Sequence, residues 1–331
     1  MDKKPIVGFY DLAGCNGCLL SVLFNEDEIL DLTKLIDIRT FRFIKELKDE
    51  KQFDMIFVEG LVSCNNDLDV LKALRDKTKL LVALGACACT GCIPAMRNFT
   101  DPSKYAYLVY EKAGDIKDQP ATPISQHVQV DYSIPGCPPS KRQISDFIKD
   151  VALGKKPLDY DRPVCYECRL NENRCLLDDG KMCLGPMTRG GCNSTCTNSK
   201  FECWGCRGPM PDANPQLMAK LLEQKGFSKE QVRQRIRTFS GMVLEKPELK
   251  VAKPLPKKVA NKIKKKAKKA KSAKKKNRIP KKMIKRRAPQ AKKAKKSAKK
   301  KLTNQTSKKQ ARRQAGKRGL LGMIKKKLKK R

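Results

Sequence analysis

Eight cysteines fall within the 42 residues from Cys165 to Cys206, in a stretch with few apolar side chains from which to build a core. A segment of that composition keeps a shape only if its thiols are tied together, by disulfides or through metal. Disulfide scaffolds belong to small secreted chains, whereas this chain has 331 residues and an odd total of fifteen cysteines. The N-terminus, MDKKPIVGFYDLAGC, enters a strand-like apolar stretch at once, with no twin-arginine pair and no signal-peptide core, which predicts a cytoplasmic protein. No apolar run reaches the roughly 20 residues of a membrane span. In a reducing compartment, thiols at this density are expected to bind metal.

Charge divides the chain again. Of the 74 Lys and Arg residues, 39 lie between Lys250 and Arg331, where there is no Asp or Glu, so residues 1–249 hold 35 basic and all 34 acidic residues. The formal charge of +40 therefore describes a nearly neutral protein joined to a polycation. Three parts are expected: an α/β domain over 1–155, a cysteine-rich domain with short helices over 156–248, and a Lys-rich low-complexity tail over 249–331.

Residues 5–153 alternate between short apolar runs and helical spacing. Strands are expected at Ile6–Tyr10, Ile38–Phe43, Asp54–Val58, Leu80–Leu84 and His127–Tyr132, and helices at Cys18–Leu32, Asp67–Asp76 and Lys141–Val151. Such runs, separated by helices, predict a parallel sheet covered on both faces. Ligands of such sheets sit outside the carboxyl ends of the strands. Cys15 and Cys18 follow the first strand, Cys64 the third, Cys87 the fourth and Cys137 the fifth, so the topology carries them to one edge. Further on, Asn214–Phe239 predicts one or two helices interrupted at Gly226.

Iron–sulfur cubanes take four thiolates each, on backbone that turns sharply beside the sulfides, and glycine permits such turns. The motifs AGCNGC (Cys15, Cys18), GACACTGC (Cys87, Cys89, Cys92) and PGCPP (Cys137) have this form. With Glu59–Gly60 between the first two, this order resembles the small subunit of nickel–iron hydrogenases. The resemblance implies a flavodoxin-like domain whose proximal cluster is held by Cys15, Cys18, Cys87 and Cys137. Cys87 is preferred to Cys89 because Gly85-Ala86-Cys87-Ala88 fits the family's Gly-any-Cys-Ala; Cys92 stands where the family often has glycine. Cys64, Cys89 and Cys92 are surplus, most simply as buried small side chains, with a ligand swap or a redox role for the nearby thiol pair as the alternatives. The family also keeps a carboxylate near the proximal cluster, which points to Glu59 as support for a loop amide or for the subunit contact.

The outer cysteines look like those of the delta subunits of cytoplasmic sulfhydrogenases and related cofactor-linked hydrogenases, where two more clusters extend the relay. A sequential split gives Cys165, Cys168, Cys175 and Cys183 to a distal [4Fe-4S] cluster and Cys192, Cys196, Cys203 and Cys206 to a medial one. Respiratory relatives have a histidine at the first distal position and a three-iron medial cluster, and this chain departs from both. Zinc ribbons also use paired CxxC motifs, but zinc leaves AGCNGC, GACACTGC and PGCPP unexplained. A quinone-reductase subunit of the complex I type resembles the first domain only.

The resemblance thus implies an electron-relay subunit with three [4Fe-4S] clusters and no catalytic residue of its own, since hydrogen is split on a nickel–iron large subunit. Further iron–sulfur and flavin or NAD(P)-binding subunits are expected as partners. His127, the single histidine, is expected to be structural. The tail, which is outside the resemblance, is expected to be disordered in isolation; nucleic acid and an anionic membrane surface are the partners its charge suits.

Overall fold

Five runs rich in Val, Ile, Leu and Phe lie side by side as one parallel sheet in the computed structural model, which describes residues 4–44, 52–101 and 119–245. They are β1 (Ile6–Asp11), β2 (Asp37–Phe41), β3 (Phe53–Glu59), β4 (Thr78–Leu84) and β5 (Tyr132–Ile134), in the order β2-β1-β3-β4-β5. Every neighbouring pair is parallel, as in Val7 opposite Met55 and Ile56 opposite Leu81. This is the flavodoxin-like order, with its switch point between β1 and β3.

The central strands are apolar on both sides because both sides are covered. Met55, Phe57, Val82 and Leu84 pack with Leu19, Ile144 and Ile148. Ile56, Val58, Leu81 and Ala83 pack with Leu71, Leu74 and Ile124. The first face carries α1 (Gly17–Leu23), α2 (Glu26–Leu35) and α5 (Lys141–Ala152); the second carries α3 (Asn65–Asp76). A short α4 (Gly85–Thr90) follows β4 directly. Phe57 is fully buried, stacked on Phe9 at 4.8 Å and edge-on to Phe147 at 5.8 Å. Phe57→Ala is expected to cost about 3–5 kcal/mol, read as a fall in the urea midpoint, whereas Phe201→Ala, at a site 67% exposed, should stay within about 0.5 kcal/mol of the parent.

Two expected elements are placed differently. The helix expected over Cys18–Leu32 is two, because the chain breaks at Phe24–Asn25, and Asn25 turns its side chain amide to Ser145 Oγ at 2.5 Å. The fifth strand begins at Tyr132 rather than His127. Asp131 accepts from the Leu81 amide at 2.7 Å and pairs with Arg75 at 2.6 Å, so the chain is pinned to the sheet only there. His127 lies upstream, its Nε2 2.7 Å from Thr122 Oγ1, and burial lowers its pKa.

The cysteine-rich segment begins with α6 (Val164–Leu170) and borrows its apolar support from two helices that follow it, α7 (Pro215–Gln224) and α8 (Lys229–Leu244). Met218, Leu222, Val232 and Ile236 pack on Val164, Leu176, Met182, Leu184 and Met187. Asn214 caps α7, and Ser228 with Gln231 forms a capping box on α8. The far end of α8 reaches the sheet domain: Met242 packs with Leu61 and Ala95, and Phe239 with Ala86 and Cys92. No helix among the described residues is long and apolar enough to cross a membrane. The Lys-rich tail lies outside the described residues.

Candidate metal centres

The loop after β1 carries Cys15 and Cys18 to the switch point, where Leu12 and Leu61 bond to the chain leaving the neighbouring strand. Glu59 closes β3 beneath them, 2% exposed. Its carboxylate accepts from the Leu19 amide at 2.6 Å and from the amides of Asn16 and Cys18. Burial raises its pKa, and the amides oppose that shift. Cys87 in α4 and Cys137 after β5 complete a first set of thiols, close enough for their charges to act on Cys18. Burial, followed by the charge of Glu59, pushes the Cys18 thiol up.

Close approach explains Gly85. Its φ of +88° is a conformation in which a side chain is strained, and a Cβ there would overlap Cys18 Sγ. Only glycine lets β4 turn into α4 beneath that sulfur.

The three surplus cysteines have different surroundings. Cys89 packs on the sheet with its sulfur 3.6 Å from the Ala83 carbonyl, and burial raises its pKa to about 12. Cys64 is the residue before α3; its amide, like that of Ser63, donates to Asp67 Oδ2, at 3.1 and 2.9 Å. Cys92 is not simply core. Its sulfur is hydrogen-bonded to Cys137 and Cys87, and these contacts hold Cys92 in the thiol form and lower Cys137 to about 7. The sequence signal for this was a cysteine in a position suited to glycine, and at its φ of +52° a side chain has to be accommodated.

A second set gathers around α6. The thiols of Cys168, Cys175 and Cys183 act on Cys165, which burial raises to about 12. A Cβ at Gly185 would meet Cys165 Sγ at 3.1 Å and Cys183 Sγ at 3.5 Å.

The third set borders a cavity of about 310 Å³ lined by Cys192, Cys196, Cys203 and Cys206, with Cys137, Arg207, Thr188, Trp204 and Phe239 in the same wall. Cys206 is raised to about 11 by burial, while the Cys137 amide donates to its sulfur and opposes the rise. The sets are thus joined by backbone: Cys137 to Cys206, and the Cys203 amide to Cys183 Sγ at 3.3 Å. Glu167, between Cys165 and Cys168, also reaches the third set. It accepts from the Gly191 amide, from the Ser194 amide at 3.0 Å and from the Cys192 thiol at 3.8 Å. Sequence reasoning missed Glu167 and Arg207, because each acts far from its neighbours in the chain.

Among the described residues no group of three or more His, Cys, Asp or Glu side chains is drawn together closely enough to hold a metal ion. The third set instead surrounds a volume. In a cubane each thiolate binds its own iron at the corner of a cluster, and four cysteines around a cavity with amides aimed at sulfur are a donor set of that kind.

The family described as NADH ubiquinone oxidoreductase, 20 kDa subunit, matches residues 15–151. Over 237 residues the chain is 37% identical to the delta subunit of sulfhydrogenase 2 of Pyrococcus furiosus, covering 71% of this chain and 98% of that one. Over 233 residues it is 32% identical to a subunit of the vhu F420-non-reducing hydrogenase of Methanocaldococcus jannaschii, covering 61% and 81%. Among solved structures, an NAD+-reducing [NiFe]-hydrogenase in the H2-reduced state aligns over 47% of this chain and 96% of the matched chain, at 29% identity and a TM-score of 0.43.

Proposed function

The chain belongs to the family of nickel–iron hydrogenase small subunits that includes the sulfhydrogenase delta subunits, and on that premise we propose that it relays electrons through three [4Fe-4S] clusters. It is an oxidoreductase subunit, and the hydrogen-splitting site is on its partner large subunit. The proximal cluster is assigned to Cys15, Cys18, Cys87 and Cys137, the medial cluster to Cys192, Cys196, Cys203 and Cys206, and the distal cluster to Cys165, Cys168, Cys175 and Cys183. The observation that carries this reading is the cavity bordered by the four medial cysteines with Cys137 in its wall. That arrangement supports an uninterrupted path from the first set to the third.

Each cluster, when bound, takes up and gives back one electron at a potential set by its ligands, hydrogen bonds and burial. The protein's own part is positional. Glu59 holds three amides of the first loop, which fixes Cys18 relative to Gly85. The Cys137 amide, by donating to Cys206 Sγ, offsets negative charge on that thiolate. Leu184 and Met187 pack in one cluster with Cys183 and Cys203, and Phe239 packs with Cys92, Cys87 and Cys206.

By kinship with the named relatives we assign it a cytoplasmic complex with a nickel–iron large subunit, and downstream iron–sulfur and flavin or NAD(P)-binding partners. The match to the quinone-oxidoreductase family ends at residue 151, before the outer cysteines begin, which favours the hydrogenase reading over a complex I type subunit. Anaerobically purified complex is expected to contain about twelve irons and as many sulfides bound to this chain, beyond those of its partners. Zinc in place of iron would overturn the proposal.

A further inference from the structure

Arg207 follows the last medial cysteine and is 3% exposed. All the hydrogen bonds it makes are to neutral acceptors. Nε donates to the Gly190 carbonyl, and Nη1 donates to the Pro135 carbonyl and Gln143 Oε1, both at 2.8 Å. Tyr160 lies beneath it, with its ring centre 5.5 Å from Cζ. Nη2 is buried and has no hydrogen-bond partner. A buried guanidinium without an anion on its fork is a costly arrangement.

The surroundings of Nη2 indicate what completes it. Arg207 lines the cavity bordered by Cys192, Cys196, Cys203 and Cys206. Gly191, immediately before Cys192, would carry a Cβ 2.5 Å from Nη2, and its φ of +103° is again one that favours glycine. The backbone at the third set is therefore shaped to admit the guanidinium. A cubane on four thiolates is anionic, and one-electron reduction makes it more so. A buried cation lining the same cavity favours the reduced form.

We propose that Arg207 is the counter-charge of the medial cluster: Nη2 donates to a sulfur of the centre held by Cys192, Cys196, Cys203 and Cys206 and raises its reduction potential. This rests on the medial assignment above. Arg207 is thus a positioning and tuning residue; Glu167, from the distal side, is the opposing negative charge on the same loop.

The test is an EPR-monitored redox titration of the intact, anaerobically purified complex. Arg207→Gln is expected to lower the medial midpoint by at least the equivalent of a tenfold change in its reduction equilibrium, about 59 mV for one electron, with the proximal and distal signals much less affected. Arg207→Lys, which keeps the charge but not the fork, should restore most of the shift. An unchanged midpoint in Arg207→Gln with full iron overturns the proposal. If Arg207→Gln does not retain iron, Gln143→Glu carries the test, because it keeps the arginine and sets a carboxylate against Nη1. The medial midpoint must then fall, and an unchanged one overturns the proposal equally. The underlying assignment is tested separately by Cys196→Ala, which should abolish the medial signal. If all three signals survive, the assignment fails rather than the role of Arg207.

Discussion

A Gly85→Ala complex is expected to carry about eight irons on this chain instead of about twelve and to lose hydrogen-driven dye reduction to background. The methyl group meets two obstacles. Left-handed backbone costs a side chain roughly 1–2 kcal/mol, and the new Cβ falls on Cys18 Sγ, with the Gly136 carbonyl also 3.6 Å away. Cys18 has little room to retreat, being buried with its loop held by Glu59. In the proximal site proposed above each of four sulfurs meets its own iron, so displacing one by the width of a methyl group is expected to remove the site. Gly154→Ala is the control: its φ is +69°, yet nothing lies within 4 Å of the new Cβ. That variant should lose only the backbone contribution and keep all its iron. Metal analysis with EPR of both variants decides between local overlap and general strain, and a Gly85→Ala complex with normal iron would show that the first set does not require the observed approach of Gly85 to Cys18.

The sheet was legible because strands buried on both faces have unbroken apolar runs, and MIFV (Met55–Val58) and LLVAL (Leu80–Leu84) are such runs. Its edge strand was less so. Val128 and Val130 have the alternation of a strand, but Asp131 fixes where pairing starts through a tertiary contact with Arg75 that no local pattern contains. The same distinction governs the thiols. The motifs marking Cys15, Cys18, Cys87 and Cys137 combine cysteine with glycine or proline, and strand-end topology alone carries them to one edge. Cys92 carried only half of that signal: a cysteine where glycine is suited. Its contact with Cys87 and Cys137 depends on a turn that the sequence leaves unspecified. Arg207 and Glu167 were hardest to find, since a charged residue beside a cysteine looks like surface until the fold buries it, as it does Arg207, or half-buries it against a distant loop, as it does Glu167.

Glu167→Ala is expected to release the medial centre while leaving the proximal one intact. Asn193 and Ser194 are consecutive residues in left-handed conformations, at φ of 51° and 48°, and neither is glycine. Such a turn is held only by its surroundings. Glu167 supplies them by accepting from the amides of Gly191 and Ser194, and Asn171 adds a bond to Ser194 Oγ at 2.9 Å. Hydrogen bonds to a charged acceptor contribute roughly 1.5–3 kcal/mol each, against about 1–2 kcal/mol of strain at each of two residues. The balance is close, so loss of the carboxylate frees the turn that carries Cys192 on one side and Cys196 on the other. Iron on this chain should fall to about eight, with the medial EPR signal missing and the proximal signal unchanged. Glu167→Gln keeps an acceptor for one of the two amides, which bond to different oxygens, and should retain more iron than Glu167→Ala. In the centres that remain it removes the negative charge beside Cys192 and so should raise the medial midpoint, opposite in sign to Arg207→Gln. A Glu167→Ala complex that keeps all three signals would mean that the turn is held without the carboxylate, by Asn171, Asn198 and the cluster.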